Sequence, residues 1–279
     1  MTFKNDIKYL LEFEKTIEQL FEEASYDHRH KAIDRKHVLD YLYSDLYKYA
    51  EIIEIIRKEC KKEDIIIDIG IAYGFYDIVL SRKYGYKNIV GSDLELHIPI
   101  YGKLLKKYGI EVFAGELSEK PLPFGDCEFD FIIFSEVLEH LIILPFTALQ
   151  EINRILKPGG KLLLATPNIA RLSNVIKLSI GKNILEYVLE PDKNTSCLLY
   201  DNIVHVREYT MSECIRLLER TGFVPIKTFY SNCWDRPNNL LLPGIKMLNR
   251  IVNRMRYYVT YILPRYRSDI VILARKLNE

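Results

Sequence analysis

Ile65-Ile66-Ile67-Asp68-Ile69-Gly70-Ile71-Ala72-Tyr73-Gly74 is the stretch that decides the fold of this 279-residue chain. An apolar run ends in a carboxylate and passes into a turn of small residues, the order found where a buried strand hands over to a helix. Further on, Ile89-Val90-Gly91-Ser92-Asp93 repeats the form, a second apolar strand closing on an acid. Strand-like runs recur at Glu111–Ala114, Phe131–Phe134 and Lys161–Thr166, with helix-length segments between them. That alternation predicts an α/β fold with a parallel sheet and right-handed crossovers.

The same two segments imply a ligand. A glycine turn opening a helix leaves backbone N–H groups that suit a carboxylate or phosphate. A carboxylate at the tip of the next parallel strand, Asp93, suits two ribose hydroxyls. The ligand expected is a nucleoside with an anionic or zwitterionic tail; for the loop taken alone, a ligand-free strand–helix turn is the alternative. A dinucleotide fingerprint requires G-x-G-x-x-G. Counted from Gly70, its second glycine falls on Ala72 and its third on Phe75, which argues against a dehydrogenase.

Asp68-x-Gly70-x-Ala72-x-Gly74 instead resembles the D-x-G-x-G-x-G loop of class I S-adenosylmethionine-dependent methyltransferases, with Ala72 as the departure. Later segments extend the resemblance in order. They are Gly115-Glu116-Leu117, the run Leu122-Pro123-Phe124-Gly125-Asp126, Ser135-Glu136-Val137-Leu138-Glu139-His140-Leu141, Leu156-Lys157-Pro158-Gly159-Gly160, and Thr166-Pro167-Asn168. Together they cover roughly residues 60–230 and resemble the small-molecule and glycan-modifying branch of that superfamily.

The resemblance implies a Rossmann-like, doubly wound seven-stranded sheet, mostly parallel with an antiparallel last strand. It implies S-adenosylmethionine (SAM) as cofactor and S-adenosylhomocysteine as its product. Gly70, Ala72, Tyr73 and Gly74 would hold the methionine tail, with Asp68 supporting the loop or the amino group. Asp93, with Leu94 beside it, would take the ribose hydroxyls. Glu116 and Leu117 would border the adenine, and Ser135 would line the site from the end of the fourth strand. Asp68, Asp93, Glu116 and Ser135 all fall at strand carboxyl ends, where open α/β sheets bind ligands.

A hydroxyl acceptor would also need a base. His140 is the first choice, since an imidazole titrates near neutrality, with Glu139 to orient it and His205 as the second candidate. The alternatives are structural: Glu139 and His140 fixing their loop, and His205 making a hydrogen bond at a helix entry. Arg207 would pair with an acidic acceptor or with Glu208. No metal is expected: His28, His30 and His37 read as solvated polar residues, with no carboxylate–histidine spacing of a known site.

Composition bounds the remaining classes. Hydrophobic residues make up 48% and the formal net charge is +1, so the chain is globular and carries no signal for a polyanionic partner such as nucleic acid. The five cysteines, Cys60, Cys127, Cys197, Cys214 and Cys233, form no C-x-x-C pair and fit a reducing compartment. The first residues lack the apolar core of a signal peptide, and no uncharged apolar run is long enough to span a bilayer. A cytoplasmic location, with peripheral membrane contact open, is expected.

Residues 1–62 read as a helical segment packing on the core. One near-helical stripe runs through Ile7, Leu10, Leu11, Glu14, Ile17 and Phe21, and a second through Leu39, Leu42, Leu46, Tyr49, Ile53 and Ile56. The polar Tyr26–Lys31 stretch reads as a loop between them. Residues 63–279 read as the methyltransferase domain, with substrate-side insertions at about 169–208 and 231–268. Thr210-Met211-Ser212-Glu213 is a capping box that starts a helix ending at Gly222, followed by strands at Val224–Tyr230 and Ile270–Ala274. Between Pro243 and Pro264, Ile245, Leu248, Val252, Met255, Val259 and Ile262 keep helical spacing. From Arg236 to Ser268 there are six Lys or Arg beyond Arg236 itself and no Asp or Glu. The segment 245–267 therefore reads either as a cap helix or homodimer contact, or as a basic surface for a membrane or lipid-linked acceptor.

The expected activity is O-methylation of a sugar, polysaccharide or other small-molecule hydroxyl. The alternatives are methylation of a prenyl-quinone or lipid-linked acceptor, and a non-catalytic SAM-binding regulatory protein.

Overall fold

The computed structural model describes residues 8, 10, 35–95, 97–117, 121–142, 144–185, 205–231 and 247–278. Apart from Leu10, the first predicted helical stripe lies outside the described residues. So do the Tyr26–Lys31 loop with His28 and His30, the middle of the first insertion, and Ile245. The chain forms two compact units, Met1–Gly115 and Glu116–Glu279.

In the first unit, α1 spans Arg35–Glu59. Leu42, Leu46, Tyr49, Ile53 and Ile56 are all buried, as the spacing of their apolar side chains predicts. Strands β1 (Ile66–Ile69), β2 (Ile89–Asp93) and β3 (Glu111–Ala114) pair in parallel, with Ile67 opposite Val90 and Gly91 opposite Val112. The crossovers are α2 (Phe75–Val79), prolonged by one wide turn over Leu80–Tyr84, and α3 (Ile98–Lys107). Two glycines permit this packing. A Cβ on Gly91 would lie 2.6 Å from Ile71 Cδ1, and one on Gly74 would run into Leu105 Cδ2 of α3.

The second unit contains β4 (Phe129–Ser135), β5 (Leu156–Pro167), β6 (Phe223–Ser231) and β7 (Asp269–Lys276). β4 and β5 are parallel, while β7 runs antiparallel to both β5 and β6. The strand order is β3-β2-β1-β4-β5-β7-β6, a mixed seven-stranded sheet of Rossmann-like type. β5 starts at Leu156, five residues before the predicted Lys161. Its register against β4 jumps from Phe129–Leu156 to Phe131–Lys161, so Lys157-Pro158-Gly159-Gly160 bulges out, with Gly159 at φ 74°.

The helices of this unit are α4 (Pro145–Ile155), α5 (Leu172–Ser179), α6 (Met211–Arg220) and α7 (Met247–Ile262). The predicted capping box opens α6: Glu213 N–H donates to Thr210 Oγ1, and Thr210 N–H donates to Glu213 Oε2. α7 falls inside the predicted proline-bracketed run. Met255, Val259 and Ile262 of its apolar stripe are exposed, while Thr260 is buried. Among the described residues, no helix is long and apolar enough to cross a membrane.

Candidate active site

In the first unit the end of β1 turns sharply. Gly70, Ala72 and Gly74 all adopt left-handed backbone, at φ 79°, 45° and 57°. Glycine does so freely, whereas Ala72 carries a cost of about 1–2 kcal/mol. Its N–H donates to Asp93 Oδ2 at 2.9 Å, which ties the strained residue to the end of β2. Gly70 and Ile71 N–H both donate to Ser92 O. The residue that departs from the expected glycine pattern is thus held in a glycine-like conformation by the acid predicted to bind ribose.

Asp93 is itself saturated. Oδ1 accepts from Leu94 N–H (2.7 Å) and lies 2.9 Å from His97 Nδ1, and Oδ2 accepts from Ala72 N–H and Tyr101 OH (3.2 Å). A carboxylate offers about four acceptor sites. Tyr73 stacks on Phe75 and meets Tyr101 edge-on; burial pushes its hydroxyl up to about 12. His97 and Tyr101 carry no motif. Spacings of four and eight residues from Asp93 align them only once the turn into α3 is known.

Behind the loop lie two buried acids. Tyr76 OH donates to Asp68 Oδ2 at 2.7 Å. Burial, and then the charge of Asp77, push the Asp68 carboxyl well above the usual carboxylate range. Burial pushes Asp77 up to about 7. Two adjacent buried carboxyls cannot both ionise cheaply. This pair would welcome a cationic group, which suits a ligand carrying an ammonium and a sulfonium.

In the second unit β4 ends at the buried Ser135. Glu136 follows at φ 57°, a left-handed strain of the kind that gathers at functional sites. A single 3-10 turn, Leu138–His140, then presents Glu139 and His140. Glu139 is fully buried, its Oε2 accepts from Thr166 Oγ1 at 3.0 Å, and its backbone O accepts from Val206 and Arg207 N–H. Those backbone bonds bring the end of the first insertion beside the turn. The His140 and His205 rings meet edge-to-face with centroids 4.9 Å apart, and His140 Nε2 lies 3.8 Å from Glu139 Oε1. Glu139, His140 and His205 each offer one ligand atom within 4.8 Å of the others.

Glu208, one of the two partners expected for Arg207, anchors this cluster instead. Its Oε1 lies 3.2 Å from His205 Nδ1 and 2.8 Å from Arg171 Nη2, and its Oε2 accepts from Asn174 Nδ2. Burial opposes its ionisation, but the His205 bond, Arg171 and Asn174 together hold its carboxyl below the usual range. Arg207 pairs with Glu213 instead, at 2.7 Å. His205 hydrogen-bonds the Glu208 side chain, two residues before the Thr210 cap of α6. Of the adenine-side residues, Glu116 is exposed and Leu117 buried.

Asp68, Gly70, Ala72, Tyr73, Gly74, Asp93 and Leu94 therefore share the ends of β1 and β2. Glu139, His140 and His205 converge beyond the end of β4. The first group can hold a nucleoside with a zwitterionic tail; the second can accept a proton or bind a cation.

The methyltransferase-domain family matches residues 39–228. An uncharacterized protein of Methanocaldococcus jannaschii is 31% identical over 225 residues, which are 76% of this chain and 84% of that protein. The ubiquinone/menaquinone biosynthesis C-methyltransferase of Blochmanniella pennsylvanica is 31% identical over 196 residues, 63% of this chain and 71% of that one. Among solved structures, a SAM-dependent methyltransferase of Methanosarcina mazei superposes with TM-score 0.55 at 20% identity, covering 81% of this chain and 98% of that chain. Phosphoethanolamine N-methyltransferase 2 of Haemonchus contortus, solved with SAM, gives 0.53 at 14% identity, covering 87% and 57%. At these identities the two structures show a shared fold alone.

Proposed function

The chain belongs to the class I S-adenosylmethionine-dependent methyltransferases, and we propose that it methylates a hydroxyl of a small molecule, with a sugar or polysaccharide hydroxyl as acceptor. SAM supplies a methyl group on a sulfonium that is already a good leaving group, so the protein mainly has to position the reactants. The Gly70–Gly74 loop would carry the methionine tail, Asp68 would face its ammonium, and Asp93 would take the ribose hydroxyls.

The observation that carries the hydroxyl assignment is the Glu139–His140–His205 cluster. An amine attacks through a free lone pair, but a hydroxyl is a weak nucleophile until its proton has somewhere to go. Two imidazoles and a carboxylate at the end of β4 supply that. Ligands in open α/β sheets bind beyond strand carboxyl ends, and within its own unit this cluster follows the end of β4.

Calorimetric titration with SAM, S-adenosylhomocysteine and NADH tests the cofactor side. Micromolar SAM binding that weakens in Asp93→Ala is expected, with none for NADH. Label transfer from methyl-labelled SAM to a panel of sugars, polysaccharides, amines and quinols tests the acceptor. Labelling confined to amines or carbon acceptors would remove the hydroxyl assignment.

A second reading, a prenyl-quinone or lipid-linked acceptor, is favoured by α7. Met255, Tyr258, Tyr261 and Ile262 are each more than half exposed on a helix whose sequence neighbourhood holds six basic residues and no acid. Such a surface suits an anionic bilayer. Failure to float with phosphatidylglycerol vesicles would dismiss that reading.

A further inference from the structure

We propose that Glu139, His140 and His205 form a binding site for one first-row divalent transition cation, with Glu208 as the outer carboxylate that orients His205. Two imidazoles and one carboxylate are the donor set of open catalytic metal sites, which leave coordination positions for water or substrate. The three ligand atoms lie within 4.8 Å of one another. Glu139 Oε1 and His140 Nε2, at 3.8 Å, need to close by only a fraction of an ångström to share an ion with bonds of about 2.0–2.2 Å.

The surroundings match what such sites require around their ligands. A metal-bound histidine almost always gives its other ring nitrogen to a carboxylate or carbonyl, which fixes its tautomer and orientation. His205 Nδ1 does this toward Glu208 Oε1, and Nε2 then keeps the lone pair that a cation needs. Glu208 is itself held by Arg171 and Asn174, and its charge offsets that of Arg171. Thr166 Oγ1 donates to Glu139 Oε2, steering one carboxylate oxygen and leaving Oε1 on the His140 side. The backbone bonds from Val206 and Arg207 N–H to Glu139 O clamp the two chain segments that supply the ligands. Glu139 is fully buried whereas both histidines reach solvent, so an ion would have protein behind it and open positions in front.

The site deepens the hydroxyl-methylation reading, on which its chemical role rests. A cation there would polarise an acceptor hydroxyl and ease loss of its proton to solvent water, with His140 a ligand rather than the base. Binding itself stands on the geometry and is measured without SAM.

The test is calorimetric titration of the chelator-treated full chain with zinc, manganese and magnesium chlorides. One zinc equivalent is expected to bind with at least micromolar affinity, manganese more weakly, and magnesium least, because two of the three donors are nitrogen. His28, His30, His37 and the cysteines could take zinc elsewhere, so the double variant His140→Ala/His205→Ala is the reference. It should lose this equivalent, and Glu208→Gln should weaken it about 10- to 100-fold. His205→Gln, at a half-exposed position, serves should the double variant fail to fold by circular dichroism. Zinc binding that is absent in the wild type, or equal in wild type and folded variants, overturns the proposal. SAM titrated into the same samples separates the two ideas: SAM bound without zinc removes the cation alone, and zinc bound without SAM removes the cofactor assignment alone.

Discussion

His97 Nδ1 sits 2.9 Å from Asp93 Oδ1, so the carboxylate suited to ribose hydroxyls is already engaged by a side chain of its own unit. Tyr101 OH does the same at Oδ2, while the other two donors, Ala72 and Leu94 N–H, belong to the fixed backbone. A ribose can gain Asp93 only by displacing the two side-chain donors. The acid thus holds the strained loop in shape before the nucleoside arrives.

Tyr101→Phe removes one competing donor while keeping the ring that meets Tyr73 edge-on. A net hydrogen bond is worth about 0.5–1.5 kcal/mol. The variant is therefore expected to bind SAM about two- to tenfold more tightly by calorimetry. Weaker binding would mean that the hydroxyl contacts the cofactor instead.

Asp68 and Asp77 make the cofactor-free protein sensitive to pH. Burial raises both folded carboxyls above their unfolded values, Asp77 to about 7. A group raised in the folded state contributes stability that is complete below its unfolded value and lost as pH rises through its folded value. The melting temperature should therefore fall between pH 5 and pH 8. Asp77→Asn should flatten that fall and stabilise the protein at pH 8 by on the order of 1–2 kcal/mol, or about 3–6 °C. A parallel pH profile in the variant would show that the pair ionises without cost.

His140→Ala should lower turnover about 10²- to 10⁴-fold if the cluster handles the acceptor proton. SAM affinity should stay unchanged, because the groups that would hold the cofactor, the Gly70–Gly74 loop and Asp93, do not include His140. Single-turnover rates and calorimetry on the same preparation separate the two effects. Full activity in the variant would return Glu139 and His140 to a purely structural role.

Thr210→Ala removes one half of the α6 capping box. The side-chain acceptor of Glu213 N–H is lost while the Thr210 carbonyl remains, at a cost of about 1 kcal/mol. The melting temperature should drop by about 2–4 °C with SAM binding intact. A much larger drop would assign Thr210 a role beyond the helix end.

What could be read along the chain was what depends on neighbours in sequence. The apolar stripe of α1, the strand–turn–helix at Ile65–Gly74 and the capping box at Thr210–Glu213 each follow from residues within a turn or two of one another. The antiparallel last strand and the SAM chemistry came with the resemblance carried by the D-x-G-x-A-x-G loop and the motifs after it. What covers the apolar stripe of α7 was not legible, because helical spacing says which residues share a face, not what lies against it.

The sequence by itself determined the order of strands and helices and the acids at the strand ends, because short-range steric and hydrogen-bonding preferences act within local windows, and its motifs carried the family resemblance that implies the cofactor class. Only the tertiary structure decided that Asp93 is filled by His97 and Tyr101, that Asp68 and Asp77 are buried together, and that Glu208 turns from Arg207 to His205, Arg171 and Asn174. It also brought His205, from the far end of an insertion, against His140. The position of a charge relative to its partners depends on which elements pack together, and burial and charge pairing are properties of that packing rather than of any stretch of chain.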